Sequence, residues 1–147
     1  MDAEKTPVDV LLIEDNLNDI EITRRALERG MVKNHLTVAR DGEEALALLA
    51  RRGGAEPLPS LILLDLNLPK ISGHDVLRKI RATPRLHRIP VIVLTASTRA
   101  EDVAEAYDLG VNTFITKPVR FKDFLRVITT IQEYWIATAT LPPETGV

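Results

Sequence analysis

The chain contains no cysteine. That absence excludes a disulfide framework, a zinc knuckle, a thiolate nucleophile and a thiol redox switch, and it fits a reducing compartment. There is no surplus of charge either, since 19 Lys and Arg stand against 21 Asp and Glu for a formal net charge of −2. No long-range field therefore draws the chain to nucleic acid or to an anionic membrane. No apolar run approaches the roughly 20 residues of a membrane span. The N-terminal MDAEKTPVDV is acidic and polar where a secretory signal would be basic and then apolar. No Gly-rich loop follows the first apolar run, which argues against a nucleotide-binding module. His35, His74 and His87 share no ligand spacing, and solvent-facing or loop positions are expected for them. A cytoplasmic protein with no nucleic-acid and no membrane partner is the expectation.

What is present is enough for a core. At 147 residues, 45% hydrophobic and 27% charged, the chain fits one domain. Short apolar runs alternate with amphipathic stretches five times. Strands are predicted at Val8 to Ile13, Leu36 to Arg40, Leu61 to Asp65, Pro90 to Thr95 and Thr113 to Thr116. Helices are predicted from Leu17 to Arg29, closed by Gly30 as a C-cap, from Glu43 to Arg51, from Asp75 to Arg81, from Arg99 to Leu109 and from about Phe121 to about Ile136. The stretch Arg52 to Pro59, with two Gly and two Pro, reads as a surface loop. Leu61 to Leu64 is apolar on both faces, the mark of a central parallel strand covered from both sides. Five such units imply an α/β fold, a doubly wound parallel sheet with right-handed crossovers. Ligands then bind beyond the carboxyl ends of the strands.

Those strand ends carry the polar residues. The first strand ends in Glu14 and Asp15, the third in Asp65, the fourth in Thr95 and the fifth in Lys117. Carboxylates crowded at one sheet edge repel unless positive charge is supplied, and Lys117 with a divalent cation would supply it. An all-oxygen donor set suits Mg²⁺ or Mn²⁺. The chemistry suggested is phosphoryl transfer to a carboxylate, with Asp65 as nucleophile because it ends the most buried strand.

Glu14-Asp15, Asp65 in Leu-Leu-Asp-Leu-Asn-Leu-Pro, Thr95-Ala96-Ser97 and Lys117-Pro118 together resemble the receiver domain of two-component response regulators, over about residues 8 to 132. The resemblance implies a sheet order of 2-1-3-4-5. It further implies Asp65 as phosphoacceptor from a sensor histidine kinase, and a metal site of Glu14, Asp15, Asp65 and the Asn67 backbone carbonyl. Thr95 would bond the phosphoryl group, Lys117 would pair with it, and Phe114 would be the aromatic switch that follows Thr95. The Lys117–Pro118 peptide would be cis. The extended last helix, the tail and the loop at Arg52 to Pro59 are similar to stand-alone regulators that work with cyanobacterial and bacterial phytochromes, which implies a bacteriophytochrome kinase as partner. Residues 1–137 are expected to form the receiver and 138–147 a tail, without an effector domain.

Along the last helix Phe124, Ile128, Ile131 and Trp135 form a stripe with Val127 and Tyr134 beside it, wider than one sheet contact needs. A homodimer across the fourth helix, fifth strand and fifth helix is expected, with Val127, Ile131, Tyr134 and Trp135 at its surface. The expected protein is a signalling phosphoacceptor and not an enzyme in the ordinary sense. The alternative is a Mg²⁺-dependent phosphatase with an Asp nucleophile. Such enzymes usually carry a second acid two residues on, where this chain has Asn67.

Overall fold

The run Val8–Ile13 forms strand β1, and its last four residues are buried on both faces, as an unbroken apolar run requires. The structure, a computed structural model, describes residues 7–30 and 32–143. Residues 1–6 of the expected receiver and 144–147 of the expected tail lie outside the described residues. Beyond β1 the chain alternates: α1 (Leu17–Glu28), β2 (Asn34–Ala39), α2 (Gly42–Arg51), β3 (Leu61–Leu64), α3 (Gly73–Ala82), β4 (Val91–Thr95), α4 (Ala100–Asp108), β5 (Thr113–Thr116) and α5 (Phe121–Ile131). A π-helical turn at Gln132–Ile136 follows. All strands pair in parallel in the order β2-β1-β3-β4-β5. Among the described residues, no helix is long and apolar enough to cross a membrane.

The period of two along a strand divides the core. Leu11, Ile13, Ile62, Leu64, Val91 and Val93 meet Ala45, Leu49, Val76, Leu77, Ile80 and Ala106 of α2, α3 and α4. Val10, Leu12, Leu61, Leu63, Ile92 and Leu94 meet Ile20, Leu27, Phe124, Ile128 and Ile131 of α1 and α5. All four residues of β3 have zero exposure. Each such side chain contributes about 1.5–3 kcal/mol by leaving water, so β3 fixes the centre of the sheet firmly.

Three helix starts follow side-chain caps. Asn16, Asp41 and Ser72 each accept a backbone N–H three residues on, from Asp19, Glu44 and Asp75. Gly110 ends α4 with φ +96°, the left-handed C-terminal residue that glycine tolerates best. Gly30 is there for a different reason from the one expected. Its φ is not left-handed, and a Cβ on it would overlap the buried Gln132 carboxamide.

The last helix also departs from expectation. It is α-helical only to Ile131, and bonds from Ala137 N–H to Gln132 O (3.0 Å) and from Ala139 N–H to Tyr134 O (2.7 Å) widen the next turn. Widening changes the phase of the helix, so Gln132 and Ile136 turn inward while Tyr134 stays 55% exposed. Ile131 itself is 2% exposed, packed with Phe124 and Ile128 toward α1. It therefore belongs to the core and not to the exposed face expected to bind a second copy. Val127 and Trp135 are half-buried against the same cluster, and Tyr134 and Trp135 pack edge to face at 5.2 Å.

At the amino edge of the sheet, Arg81 ties the loops together. It donates to Gly110 O (2.8 Å), Ile89 O (2.9 Å), His87 O (3.0 Å) and Asn112 Oδ1 (2.9 Å). Arg85 donates to Leu49 O (2.6 Å) and Arg52 O (2.9 Å), closing the carbonyl end of α2 and anchoring the loop after it. The opposite edge is thereby left to the site.

Candidate functional site

Parallel register brings the carboxylates level. Ile13 pairs with Ala39 on one side and Leu64 on the other. The Glu14 N–H then reaches Ala39 O and the Asp65 N–H reaches Ile13 O, both at 3.0 Å. Glu14 and Asp65 thus leave adjacent strands together, and with Asp15 they present carboxylate oxygens within 4.8 Å of one another. On the other side Thr95 pairs with Thr116, and the Lys117 N–H donates to Thr95 O at 2.7 Å. Five residues expected from four strand ends converge on one pocket.

Each Asp65 oxygen is occupied. Oδ1 accepts from the Thr95 hydroxyl at 2.7 Å and from the Asn67 N–H at 3.0 Å. Oδ2 accepts from Lys117 Nζ at 3.0 Å. Asp65 and Thr95 are buried, so these bonds act where water competes little. Behind them Gly73 comes so close that a Cβ would overlap the Asp65 carbonyl and the Leu66 backbone. Its N–H bonds Leu66 O at 3.0 Å, which holds the loop after β3 in place.

Lys117 Nζ also donates to Glu14 Oε1 at 2.6 Å and to Asp19 Oδ2 at 2.8 Å. One ammonium faces three carboxylates, its side chain 9% exposed. Burial opposes its charge, but the bonds to Asp19 and Glu14 and the field of Asp65 prevail and hold it above its ordinary range. Glu14 is pushed up to about 7, chiefly by burial, with the Asp65 charge adding to it and Lys117 opposing. Asp15, beside Glu14 and Asp65, adds a fourth carboxylate to a cluster in which Lys117 bonds three. The remaining negative charge and the all-oxygen donor set of Glu14, Asp15 and Asp65 fit a hard divalent ion.

Two expectations need correcting here. The Lys117–Pro118 peptide is trans; trans is the lower-energy isomer even before proline, by about 0.5–1 kcal/mol, and Lys117 reaches all three carboxylates from it. His74 is not solvent-facing. Its side chain is 13% exposed, with Nε2 3.1 Å from Asp102 O and Nδ1 3.7 Å from Glu105, joining α3 to α4. Asp19 and Gly73 were not anticipated. Asn16-x-x-Asp19 has capping-box spacing, which accounts for an acid there without any chemistry. Phe114 is half-buried on the α3 and α4 side, and its N–H donates to the Tyr107 hydroxyl at 3.2 Å.

The family model of the response regulator receiver domain matches residues 10–129. The chain belongs to that family. Response regulator Rcp1 of Synechocystis sp. is 41% identical to this receiver over 143 residues, covering 96% of this chain and 97% of the relative. The crystal structure of the Mn²⁺-bound form of Rcp1 superposes with a TM-score of 0.89, covering 93% of this receiver and 100% of that chain. That of the phosphorylated cyanobacterial phytochrome response regulator RcpA also gives 0.89, at 41% identity and coverage of 94% and 100%. The fold of this receiver is thus one known in both a metal-bound and a phosphorylated form.

Proposed function

We propose that the protein is a phosphoacceptor of a two-component relay and that Asp65 takes the phosphoryl group. The observation that carries this is the Asp65 carboxylate, buried at the end of β3 and bonded to both the Thr95 hydroxyl and the Lys117 ammonium. An Asp65 oxygen forms the new O–P bond as the P–N bond of a phosphohistidine breaks, and the electron pair of that bond stays on the imidazole. Lys117 and Thr95 each offer a donor to the charge on the transferred group's oxygens. Glu14, Asp15, Asp65 and the Asn67 carbonyl would hold Mg²⁺ or Mn²⁺. Such an ion supplies charge neutralisation at the phosphoryl oxygens. Asn67 offers a carboxamide where a phosphatase of this kind needs an acid or base, which favours the regulator.

The likeness to the phytochrome response regulator RcpA supports a phytochrome-type histidine kinase as the donor, with the transfer in the cytoplasm. Residues 1–137 form the receiver and 138–147 its tail. Thr95 and Phe114 pass the phosphorylated state to the face of α4, β5 and α5 as a shift between two conformations. Val127, Tyr134 and Trp135, none of them fully buried, would contact a second copy. Sedimentation of wild type and Trp135→Ala tests the dimer, and a monomer in both excludes it.

Acetyl phosphate with Mg²⁺ tests the central claim. A lasting acyl phosphate in wild type and none in Asp65→Asn is the expected result. Rapid multiple turnover of small phosphate esters would overturn it.

A further inference from the structure

The cap of α1 is divided in an unusual way. In a capping box the acid at the third helical position turns back to take the N-cap backbone N–H. Here Asn16 does cap the Asp19 N–H, at 2.9 Å, but the Asn16 N–H goes instead to Glu14 Oε2, at 3.1 Å. The Asp19 carboxylate is released from the helix end and reaches across to Lys117 Nζ at 2.8 Å. Its backbone is held while it does so, since the Thr23 hydroxyl bonds the Asp19 carbonyl at 2.8 Å. Asp19 is 23% exposed and lies outside the group of carboxylates close enough to share an ion.

Lys117 has three N–H donors, and Glu14, Asp19 and Asp65 take them. Two of these acceptors have other work in the proposed function. Asp65 receives the phosphoryl group, and Glu14 belongs to the cation site. Asp19 alone has no competing partner. A lysine side chain is long and rotamer-rich, so an ammonium with no fixed acceptor would lose its place once the other two are engaged.

We propose that Asp19 is a positioning residue, a fixed anchor that holds the Lys117 ammonium where it meets the incoming phosphoryl group. The inference rests on Asp65 being the acceptor. Asp19 touches neither the phosphoryl group nor the cation and acts only through Lys117.

The test compares wild type, Asp19→Asn, Asp19→Ala, Lys117→Ala and the Asp19→Asn/Lys117→Ala double variant with acetyl phosphate and Mg²⁺. Asn at position 19 leaves the backbone cap intact, and unfolding midpoints control for a damaged helix. Loss of a charge-assisted bond predicts acyl-phosphate formation slower by about fivefold to tenfold in Asp19→Asn and Asp19→Ala. The ³¹P resonance of the phosphorylated Asp19→Asn protein moves from its wild-type position, because the ammonium beside the phosphoryl group has shifted. In the Lys117→Ala background the Asp19→Asn change alters the rate by less than about twofold, the mark of residues acting as a unit. A wild-type rate and resonance in Asp19→Asn overturn the inference, and so does an equal fall with and without Lys117. A wild-type protein that takes up no phosphoryl group overturns the reading of Asp65 and the inference with it.

Discussion

Gly73 shows how a residue without a side chain can govern a reactive one. The Asp65 carbonyl and Leu66 occupy the space where its Cβ would stand, so Gly73→Ala forces the loop after β3 outward and moves Asp65. Overpacking of this kind costs about 1–3 kcal/mol. Chemical denaturation of Gly73→Ala should show that loss, and its acyl-phosphate formation should be slower than wild type. The strand-end residues Glu14, Asp15, Asp65, Thr95 and Lys117 were legible in the sequence, because packing alone rarely asks for a polar residue where an apolar run stops. Asp19 was not, because helix capping already accounts for an acid at that spacing. Gly73 was hidden too, since its need arises from a backbone eight residues earlier in the chain. The trans Lys117–Pro118 bond was misjudged for a related reason: isomer choice depends on tertiary context, and the dipeptide carries little of it.

Among the elements, the strands and their parallel pairing followed from patterning and their order from the family resemblance, whereas the end of α5 followed from neither. A periodic stripe runs through Phe124, Ile128, Ile131 and Trp135 as though the helix were uniform, but the π-turn breaks its phase after Ile131. Ile131, still in the phase of Phe124 and Ile128, packs in the core, and Tyr134 beyond the break faces water. The two should respond very differently to truncation. Ile131→Ala is expected to cost about 2–5 kcal/mol, while Tyr134→Ala loses only its edge-to-face contact with Trp135, about 0.5–1.5 kcal/mol. Denaturant midpoints measured on dilute protein separate these outcomes. Buried Gln132 gives the reason for the change of phase: its carboxamide lies over Gly30 and within 3.5 Å of Leu27 O, joining the end of α5 to the end of α1. Nothing in the α5 sequence alone announces a partner lying 105 residues away.

For the whole molecule, function and cohesion occupy opposite edges of the sheet. Arg81 and Arg85 close the amino edge with hydrogen bonds, and the carboxyl edge gathers carboxylates that repel one another. An ion that binds there stabilises the fold by mass action, by about 1.4 kcal/mol at ten times its dissociation constant. For a chain of this size that raises the unfolding midpoint by about 3 to 6 °C. Mg²⁺ should produce the shift in wild type, and Asp15→Asn should need a higher concentration for the same effect. The walls of the pocket differ in how firmly they are held. Glu14 and Asp65 grow from β1 and from a strand with no exposure at all, whereas Thr95 borders β5, an edge strand, and α4, which buries Ala106 alone. In hydrogen exchange, the amides of β3 should open only with global unfolding, while those of α4 exchange through a local opening of much lower free energy. If Thr95 passes the phosphorylated state to α4 and β5 as proposed, the chemistry stands on ground that does not yield and the readout lies where little energy is needed to rearrange it.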